Sequence, residues 1–596
     1  MAKGFAPGFR FWFLSLLILV GYGAIGYRLV DLHALKRESL VKELHRHRYR
    51  IIPSNPRRGD IYDSGMELLA TSHSFVNVGL DPTLIKESDI IKLAPLSEIL
   101  QMPLSDIEEA FGVKNGKFVV DPKTHTRRWI PLARHSSETA YEKVKALGIR
   151  CVYGNREYSR VYPKDELAAH VVGFSRKDGQ AVMGVEKTFD FYLSGQKGWK
   201  ESEVKAGIEM AQFRTRLVPA EDGMNIVLSI DSYVQYLVEK ELALIAEELK
   251  PKSASIIISD PHTGFIIGMG NYPTFDPNNY ARYPINTHKN RALTDPLEPG
   301  STFKIVAAAG ALEEQLVRTW TEFDCSKNTV QLASGYVARL PKDSHENGIL
   351  SVEEIVSESS NRGAAFLGVL MGENKFYDYV KGFGFGDPTG FSIGQESWGI
   401  LNPVKRWDGL TLTRMTMGHS ISATPIQIHY AMASIANGGL LMRPQVVKSI
   451  LDDKGDTAIE FGPLPKRRVV SANTANTVAR MLEKTVSEGT ATSAEIAGYS
   501  IAGKTGTSQK LINGRYSSRH HVGSFSGFLP ADDPRLVITV IVDDADIKGI
   551  SYGSRVAAPT FKELAKSLIP YYAIQPAIRT EEIASSMELG PVDWGN

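Results

Sequence analysis

The chain has 596 residues, long enough for several domains of ordinary size and at least one large core. Its 68 basic and 67 acidic residues nearly cancel, and no long single-sign run forms a binding arm, so nucleic acid is not an expected partner. Cys151 and Cys325 cannot make a disulfide framework and lack metal-ligand spacing; they read as two buried free thiols, with one bridge as the other option.

The first predicted element is a membrane span. FWFLSLLILVGYGAIGY, residues 11–27, carries no charge and reaches about 20 residues once the stem of Arg28 and Leu29–Val30 are added. It is long for the apolar core of a cleaved signal peptide and lacks a clean small-x-small cleavage site, so an uncleaved anchor over 11–30 is expected, after an N-terminus of residues 1–10. Lys3 and Arg10 precede the span, whereas Arg28, Lys36, Arg37, Lys42, Arg46 and Arg48 follow it. That count points the wrong way for an exported body, but it carries little weight where a long domain follows.

Further on, Asp63-Ser64-Gly65 reads as a hairpin-type turn between Asp60–Tyr62 and Glu67–Leu69. No nucleophile–base pair stands out over 31–220, which reads as a spacer or docking domain. The pattern changes near 221, with a strand over Asn225–Ile230, a helix capped by Asp231 or Ser232, and two apolar strands over 253–270 around the turn Asp260–Gly264. Another strand pair follows at 524–530 and 535–544. Strands at both ends with helices between them predict an α+β domain over 221–575, its sheet closed by segments far apart in sequence. Residues 576–596 read as a polar tail, and no repeat or low-complexity segment is present.

The chemistry-bearing residues lie in three short motifs. In NRALTDPLEPGSTFKIVAAAGALEE, residues 290–314, Pro299-Gly300 delivers Ser301 into a helix whose Ile305, Ala308, Ala309, Leu312 and Leu316 recur as one buried stripe. Unpaired N–H groups in the first turn favour a developing oxyanion, and Lys304, one turn on, can approach the serine from the same helix face. Taken alone this is weak, because serine is a common N-cap and Ser-x-x-Lys recurs at Ser39/Lys42, Ser194/Lys197 and Ser202/Lys205. In SVEEIVSESSNRG, residues 351–363, Ser351 and Glu354 match a capping box; the helix should end near Ser357 and deliver Ser359 and Asn361 on the following turn. This spacing too recurs, at Ser326/Asn328 and Ser471/Asn473. IAGKTGTSQ, residues 501–509, holds the one Lys-Thr-Gly of the chain, where Gly503 and Gly506 would let a substrate peptide approach a strand edge and pair with it. His520-His521 reads as a loop and not as a metal site, since adjacent histidines rarely ligate one ion.

Ser-x-x-Lys, Ser-x-Asn and Lys-Thr-Gly in this order are the set associated with penicillin-binding proteins and class A β-lactamases. The flanks narrow the resemblance. NRALTDPLEPGSTFK is similar to the active-site segment of the division-specific (septal) class B penicillin-binding proteins. RRGDIYD (57–63), RVYPKDELAAHVVGF (160–174) and GVEKTFDFYLSG (184–195) resemble that family's non-catalytic pedestal, and SFSGFLPADDP and VAAPTFKEL its C-terminal segments, so that the resemblance covers about residues 10–570. Two stretches depart from the family's usual pattern: MGHSISATPIQ (417–427), where a Gly-Tyr-Gly-like stretch is common, and Gly553-Ser554-Arg555, where Gly-Gly is common.

The resemblance implies a membrane-anchored α+β protein in which an elongated pedestal of the dimerisation type precedes a transpeptidase domain with an antiparallel sheet flanked by helices. Its body would be extracytoplasmic. It implies a serine D,D-transpeptidase that cross-links the D-Ala-D-Ala stem peptides of peptidoglycan at the septum and is acylated by β-lactams. An elongation-type transpeptidase, a hydrolase using water as acceptor, and a non-catalytic β-lactam sensor or scaffold are the alternatives. By the same resemblance Ser301 attacks the penultimate D-alanine carbonyl, and Lys304, kept neutral by burial and by the second cation Lys504, is its base. Ser359 relays the proton, Asn361 holds the substrate amide, and Thr505, Gly506 and Thr507 form the strand that takes the terminal carboxylate. The N–H groups of Ser301 and Thr507 form the oxyanion hole. No metal or organic cofactor is called for, and a SEDS-type glycosyltransferase and division proteins are the implied partners.

Overall fold

The structure is a computed structural model that describes residues 8–40, 42, 49–114, 116–119, 129–205, 208–332 and 335–577. Lys3, Arg46, Arg48, most of the expected N-terminus 1–10 and nearly all of the expected tail 576–596 lie outside the described residues. The chain forms two compact units, one comprising Met1–Arg57, Ser74–Tyr158 and Gly195–Asp222, the other Arg58–His73, Ser159–Ser194 and Gly223–Asn596.

The first unit contains the N-terminal helix Gly8–Val30, which has no buried residue and continues as a π-helical turn over Asp31–Leu35. Together they make a 28-residue helix long and apolar enough to cross a membrane. In the same unit Tyr49–Ser54, Gly198–Lys205 and Ile208–Val218 form an antiparallel three-stranded sheet. A separate core gathers Val76, Val78 and Leu80 with Leu96, Ile107 and Phe111 from two short helices, Leu93–Leu100 and Leu104–Phe111. Cys151 is buried in this core as a free thiol.

The second unit draws on three separate stretches of chain, and an ion cluster around a buried carboxylate joins the first two. Glu186, fully buried, takes the Arg58 Nε at 2.6 Å and the Arg160 Nε at 2.6 Å, while Arg58 Nη1 reaches Asp190 at 2.5 Å. Burial alone would raise the Glu186 carboxyl; the two guanidiniums overcome it and hold the group below its ordinary value. Beside the cluster, Ile61–Tyr62 pairs in parallel with Asn225–Leu228 and antiparallel with the strand that begins at Leu68. The expected turn lies between them, with Asp63 Oδ1 accepting from the Gly65 and Glu67 amides.

The centre of this unit is a three-layer α/β/α arrangement. Helix α1 (Ser232–Leu249) is capped by Asp231, whose carboxylate accepts from the Tyr233 and Val234 amides. Strands β1 (Ser253–Ser259) and β2 (Ile266–Tyr272) follow. Helices α2 (Lys304–Glu313), α3 (Val352–Ser357), α4 (Asn361–Met371), α5 (Pro425–Ala436) and α6 (Ala472–Ser487) come next. The chain then returns to the sheet as β3 (Ala502–Ile512), β4 (Arg515–Leu529) and β5 (Leu536–Asp543), and α7 (Ala558–Tyr571) ends the unit. The strand order is β2-β1-β5-β4-β3 and every pair is antiparallel, so strands late in the sequence close the sheet against early ones, as expected.

Alternation along β1 explains the layers. Ile256 and Ile258 join Val238 of α1 and Phe561 of α7 in one core, whereas Ile257 packs in the other with residues of α2 and α5. Two expectations need correction. Helix α2 does not bury one stripe: residues 304–311 are all buried, the helix ends at Glu313, and Leu316 lies beyond it and is exposed. Its alanines and Gly310 are small because neighbours close in on every side, and a Cβ on Gly310 would lie 2.7 Å from the Met371 sulfur of α4. His520 and His521 are not in a loop but on β4, because β3 and β4 form one long hairpin around Asn513-Gly514 whose outer half carries little apolar signal.

Candidate active site

The Ser301 segment is a close-approach device. Pro299-Gly300 leads into a 3-10 turn, Gly300–Phe303, and α2 begins only at Lys304, so Ser301 lies just before the helix instead of within it. Gly300 has φ +58°, and a Cβ there would lie 2.7 Å from the Thr507 carbonyl oxygen. A Cβ on Gly506 would meet Ser524 Oγ at 2.3 Å and the Pro299 carbonyl oxygen at 2.9 Å. Two glycines therefore allow the turn and the Lys-Thr-Gly strand to touch backbone to backbone. β3 is an edge strand, paired with β4 on one side only among the described residues.

The capping box at Ser351 and Glu354 starts α3, which ends at Ser357. Ser359 follows with φ +59°, a strained conformation for a side chain with a Cβ. That turn directs both its carbonyl and its hydroxyl at Lys304. The Lys304 amine bonds the Ser359 carbonyl, Ser359 Oγ at 3.2 Å and Asn361 Oδ1 at 2.7 Å. A neutral amine has two N–H groups for the two carbonyl acceptors and keeps a lone pair for a hydroxyl. No hydrogen bond joins Ser301 to Lys304 among the described residues; the amine sits on the Ser-x-Asn turn instead.

Lys304 is 2 % exposed and Lys504 is fully buried, with no partner for the Lys504 amine among the described residues. Burial, and then the neighbouring Lys504 charge, push the Lys304 amine well below its ordinary value; Asp343 pulls weakly the other way. Lys504 is itself pushed down to about 7 by burial, with Glu358 pulling it up. Two ammonium groups cannot coexist cheaply in this space. Glu358 favours Lys504 as the cation, which leaves Lys304 as the free amine.

Alternation directs Lys504 and Gly506 to the face of β3 that meets the nucleophile turn, and Thr505 and Thr507 to the other. Thr507 Oγ1 accepts from the Gly553 amide at 3.1 Å, which leaves its own proton free to donate. Thr505 is nearly buried. His520 bonds Asp544 at 2.7 Å, and no cluster of three or more histidine, cysteine or acidic groups suited to a metal occurs among the described residues.

Two residues that no motif marks complete the surroundings. Asp343 caps α4, accepting from the Asn361 amide at 2.5 Å, the Arg362 amide at 3.1 Å and the Ser360 hydroxyl at 2.8 Å, and so fixes the helix start that carries Asn361. Glu298, three residues before Ser301, takes His419 Nδ1 at 2.7 Å, the Ser420 amide at 3.0 Å and the Tyr516 hydroxyl at 2.9 Å. Neither has a sequence signal, because both act on loops whose partners are over 100 residues away or in irregular chain. A cavity of about 400 Å³ opens beside this turn, lined among others by Leu297, Glu298, Ser508, Lys510 and Asp543. It includes none of Ser301, Lys304, Ser359, Asn361 or residues 504–507, and Lys510 is already paired with Asp543 at 2.6 Å, so this cavity is not built from the expected site residues.

A serine turn, a buried lysine pair and an edge strand on a five-stranded antiparallel sheet make up the frame of a penicillin-recognising acyl-transferase fold. Residues 254–566 match the penicillin binding protein transpeptidase domain, and residues 53–228 match the penicillin-binding protein dimerisation domain. The chain belongs to the penicillin-binding protein transpeptidase family, and with both domains it is a class B member. It is 33 % identical over 531 residues to the stage V sporulation protein D of Bacillus subtilis, covering 88 % of this chain and 80 % of that protein. It is 28 % identical over 575 residues to the peptidoglycan D,D-transpeptidase FtsI of Escherichia coli, covering 95 % of this chain and 92 % of the other. Among solved structures, penicillin binding protein 3 of Mycobacterium tuberculosis complexed with aztreonam superposes with a TM-score of 0.67 at 25 % identity, over 88 % of this chain and 98 % of that one.

Proposed function

We propose that this chain is a septal peptidoglycan D,D-transpeptidase in which Ser301 is the nucleophile and Lys304 its base. The convergence of the three motifs on the Lys304 amine, buried and depressed beside an unpartnered Lys504, is the observation that carries the reading. The free amine takes the Ser301 proton as Oγ bonds to the carbonyl carbon of the penultimate D-alanine. The N–H groups of Ser301 and Thr507 stabilise the oxyanion, an effect typically worth several kcal/mol. Collapse breaks the peptide bond, and the terminal D-alanine leaves with a proton relayed from Lys304 through Ser359. The amine of a second stem peptide then attacks the acyl-enzyme, giving up its proton by the same route and restoring Ser301.

In this scheme the donor stem adds as a strand to the open edge of β3, Asn361 holds its amide, and Lys504, Thr505 and Thr507 receive its carboxylate. The membrane helix would tether an extracytoplasmic body, with residues 31–220 as pedestal and 221–575 as catalytic domain. A SEDS-type glycosyltransferase supplying glycan strands is the expected partner, together with division proteins. β-Lactams would acylate Ser301; the relative solved with aztreonam supports this.

The test is labelling with a fluorescent penicillin, chased over hours, followed by peptide mass spectrometry of wild type and Ser301→Ala. A stable adduct on residue 301 that vanishes in the variant is expected; an adduct in Ser301→Ala means the nucleophile lies elsewhere. Depletion in the host separates the cellular roles, since a septal enzyme gives filaments and an elongation enzyme gives rounded cells. The relative named for a stage of sporulation favours one further reading, the same chemistry confined to a spore wall, which depletion in growing cells would reveal by having no effect.

A further inference from the structure

The geometry points to Glu298, His419 and Tyr516 as a positioning latch that holds the oxyanion hole in register, an inference that rests on the assignment of Ser301 as nucleophile. The hole needs the Ser301 and Thr507 N–H groups aimed at one point, and such sites work only when held to within about 0.5 Å. The main chain supplies part of that constraint, since Leu297 exchanges two backbone bonds with Ala423 and Gly300 is wedged between the Thr507 and Gly418 backbones. Past Leu297 it weakens: Gly300 has no side chain to lock it, and its amide makes a long 3.3 Å bond to the Gly418 carbonyl.

Glu298 ties this turn down at both ends. Its carbonyl accepts from Ser508 Oγ at 2.7 Å, which fixes it to the residue after Thr507 on β3. Its carboxylate reaches two further elements: His419 Nδ1 at 2.7 Å and the Ser420 amide at 3.0 Å on the loop before α5, and the Tyr516 hydroxyl at 2.9 Å on the return strand of the β3–β4 hairpin. Tyr516 also packs its ring edge-on against His419, with centroids 5.6 Å apart. Ser420 has φ +61°, so that loop is held in a conformation it would not adopt unaided. One carboxylate therefore sets the distance between the nucleophile turn, the Gly418 loop and the hairpin, and His419 stands in the stretch where this chain departs from its family's usual pattern.

None of the three touches the reacting atoms, so their effect should fall on the chemical step and not on ligand capture. Stopped-flow acylation by a fluorescent penicillin separates the two through its dependence on ligand concentration. Glu298→Ala should lower the acylation rate constant by about 100-fold, the scale of losing one oxyanion donor, with the encounter dissociation constant within about threefold of wild type. Glu298→Gln keeps an acceptor for the Ser420 amide and the tyrosine hydroxyl and should restore the rate to within about tenfold. Tyr516→Phe, a change on an exposed hairpin that leaves folding intact, should lower the rate by several-fold. The latch is overturned if Glu298→Ala acylates at the wild-type rate, if its loss lies wholly in the encounter constant, or if Glu298→Gln is as slow as Glu298→Ala. Labelling of Ser301→Ala, or none in wild type, would instead overturn the assignment of the nucleophile and the latch with it.

Discussion

Lys504 is the residue whose surroundings make the strongest demand on the fold, because an amine with no partner is enclosed where a carboxylate ligand is expected to arrive. Its folded-state value is about 7 against 10.5 for an ordinary lysine. Between those two pH values the unfolded chain binds the extra proton, so stability rises with pH across this window and is lowest below it, where the buried charge is retained. Replacing Lys504 with methionine removes the titration. In urea unfolding of the anchored protein in detergent, wild type should be less stable than Lys504→Met near pH 7, and the gap should close toward pH 10 by on the order of 3–5 kcal/mol. A gap that does not change with pH would mean that water or an anion already satisfies the amine.

At the scale of the element, β3 combines a packing role with a binding role, and Gly506 shows where they meet. Alanine there would drive a Cβ into Ser524 Oγ at 2.3 Å and the Pro299 carbonyl at 2.9 Å. The nucleophile turn would have to lift off the strand. Gly506→Ala should therefore slow penicillin acylation by at least about 100-fold, comparable to losing an oxyanion donor, while the melting temperature falls by a few degrees; an unchanged acylation rate would show that the close approach is dispensable. The contrast with the latch residues explains what could be read beforehand. Local chemistry was legible: the capping box at Ser351 and Glu354, the turn at Asp63–Gly65 and the three motifs are all contiguous stretches of sequence. The left-handed turn at Ser359, the cap supplied to α4 by Asp343 and the three hydrogen bonds of the Glu298 carboxylate were not, because each depends on tertiary partners that no spacing records. His520-His521 misled for the same reason, since the outer half of a hairpin carries no buried face to give it a strand-like pattern.

The second compact unit is assembled from three stretches that are not contiguous in the chain, and its integrity rests in part on one buried carboxylate. Glu186 holds two guanidiniums from chain positions 58 and 160. Removing it leaves the buried Arg160 without its carboxylate and Arg58 with Asp190 alone, and breaking such a buried pair typically costs about 3–5 kcal/mol. Glu186→Ala should thus unfold well below wild type in a thermal melt, yet whatever fraction remains folded should acylate with penicillin at the wild-type rate constant. Because the carboxyl is held below its unfolded value, the stabilisation is present above about pH 4.5 and is lost as pH falls through the lower folded value. A variant that melts with wild type would show that neighbouring contacts suffice to join the first two stretches. The placement of 58–73 and 159–194 with the catalytic core could not be inferred from sequence order, because long-range pairing such as Ile61–Tyr62 with Asn225–Leu228 leaves no trace in local pattern.

An exposed sheet edge is a hazard as well as a resource, for any extended chain can pair with it, including that of another copy. Along β3 the outer half is interrupted by a register shift between Gln509 and Leu511, and Lys510 is drawn into a bond with Asp543. The uninterrupted run from Ala502 to Gln509 carries two glycines and a lysine, unlike the glycine-poor segments of low net charge that self-stack. Its composition and the irregularity that follows it thus double as protection against aggregation while the edge stays open.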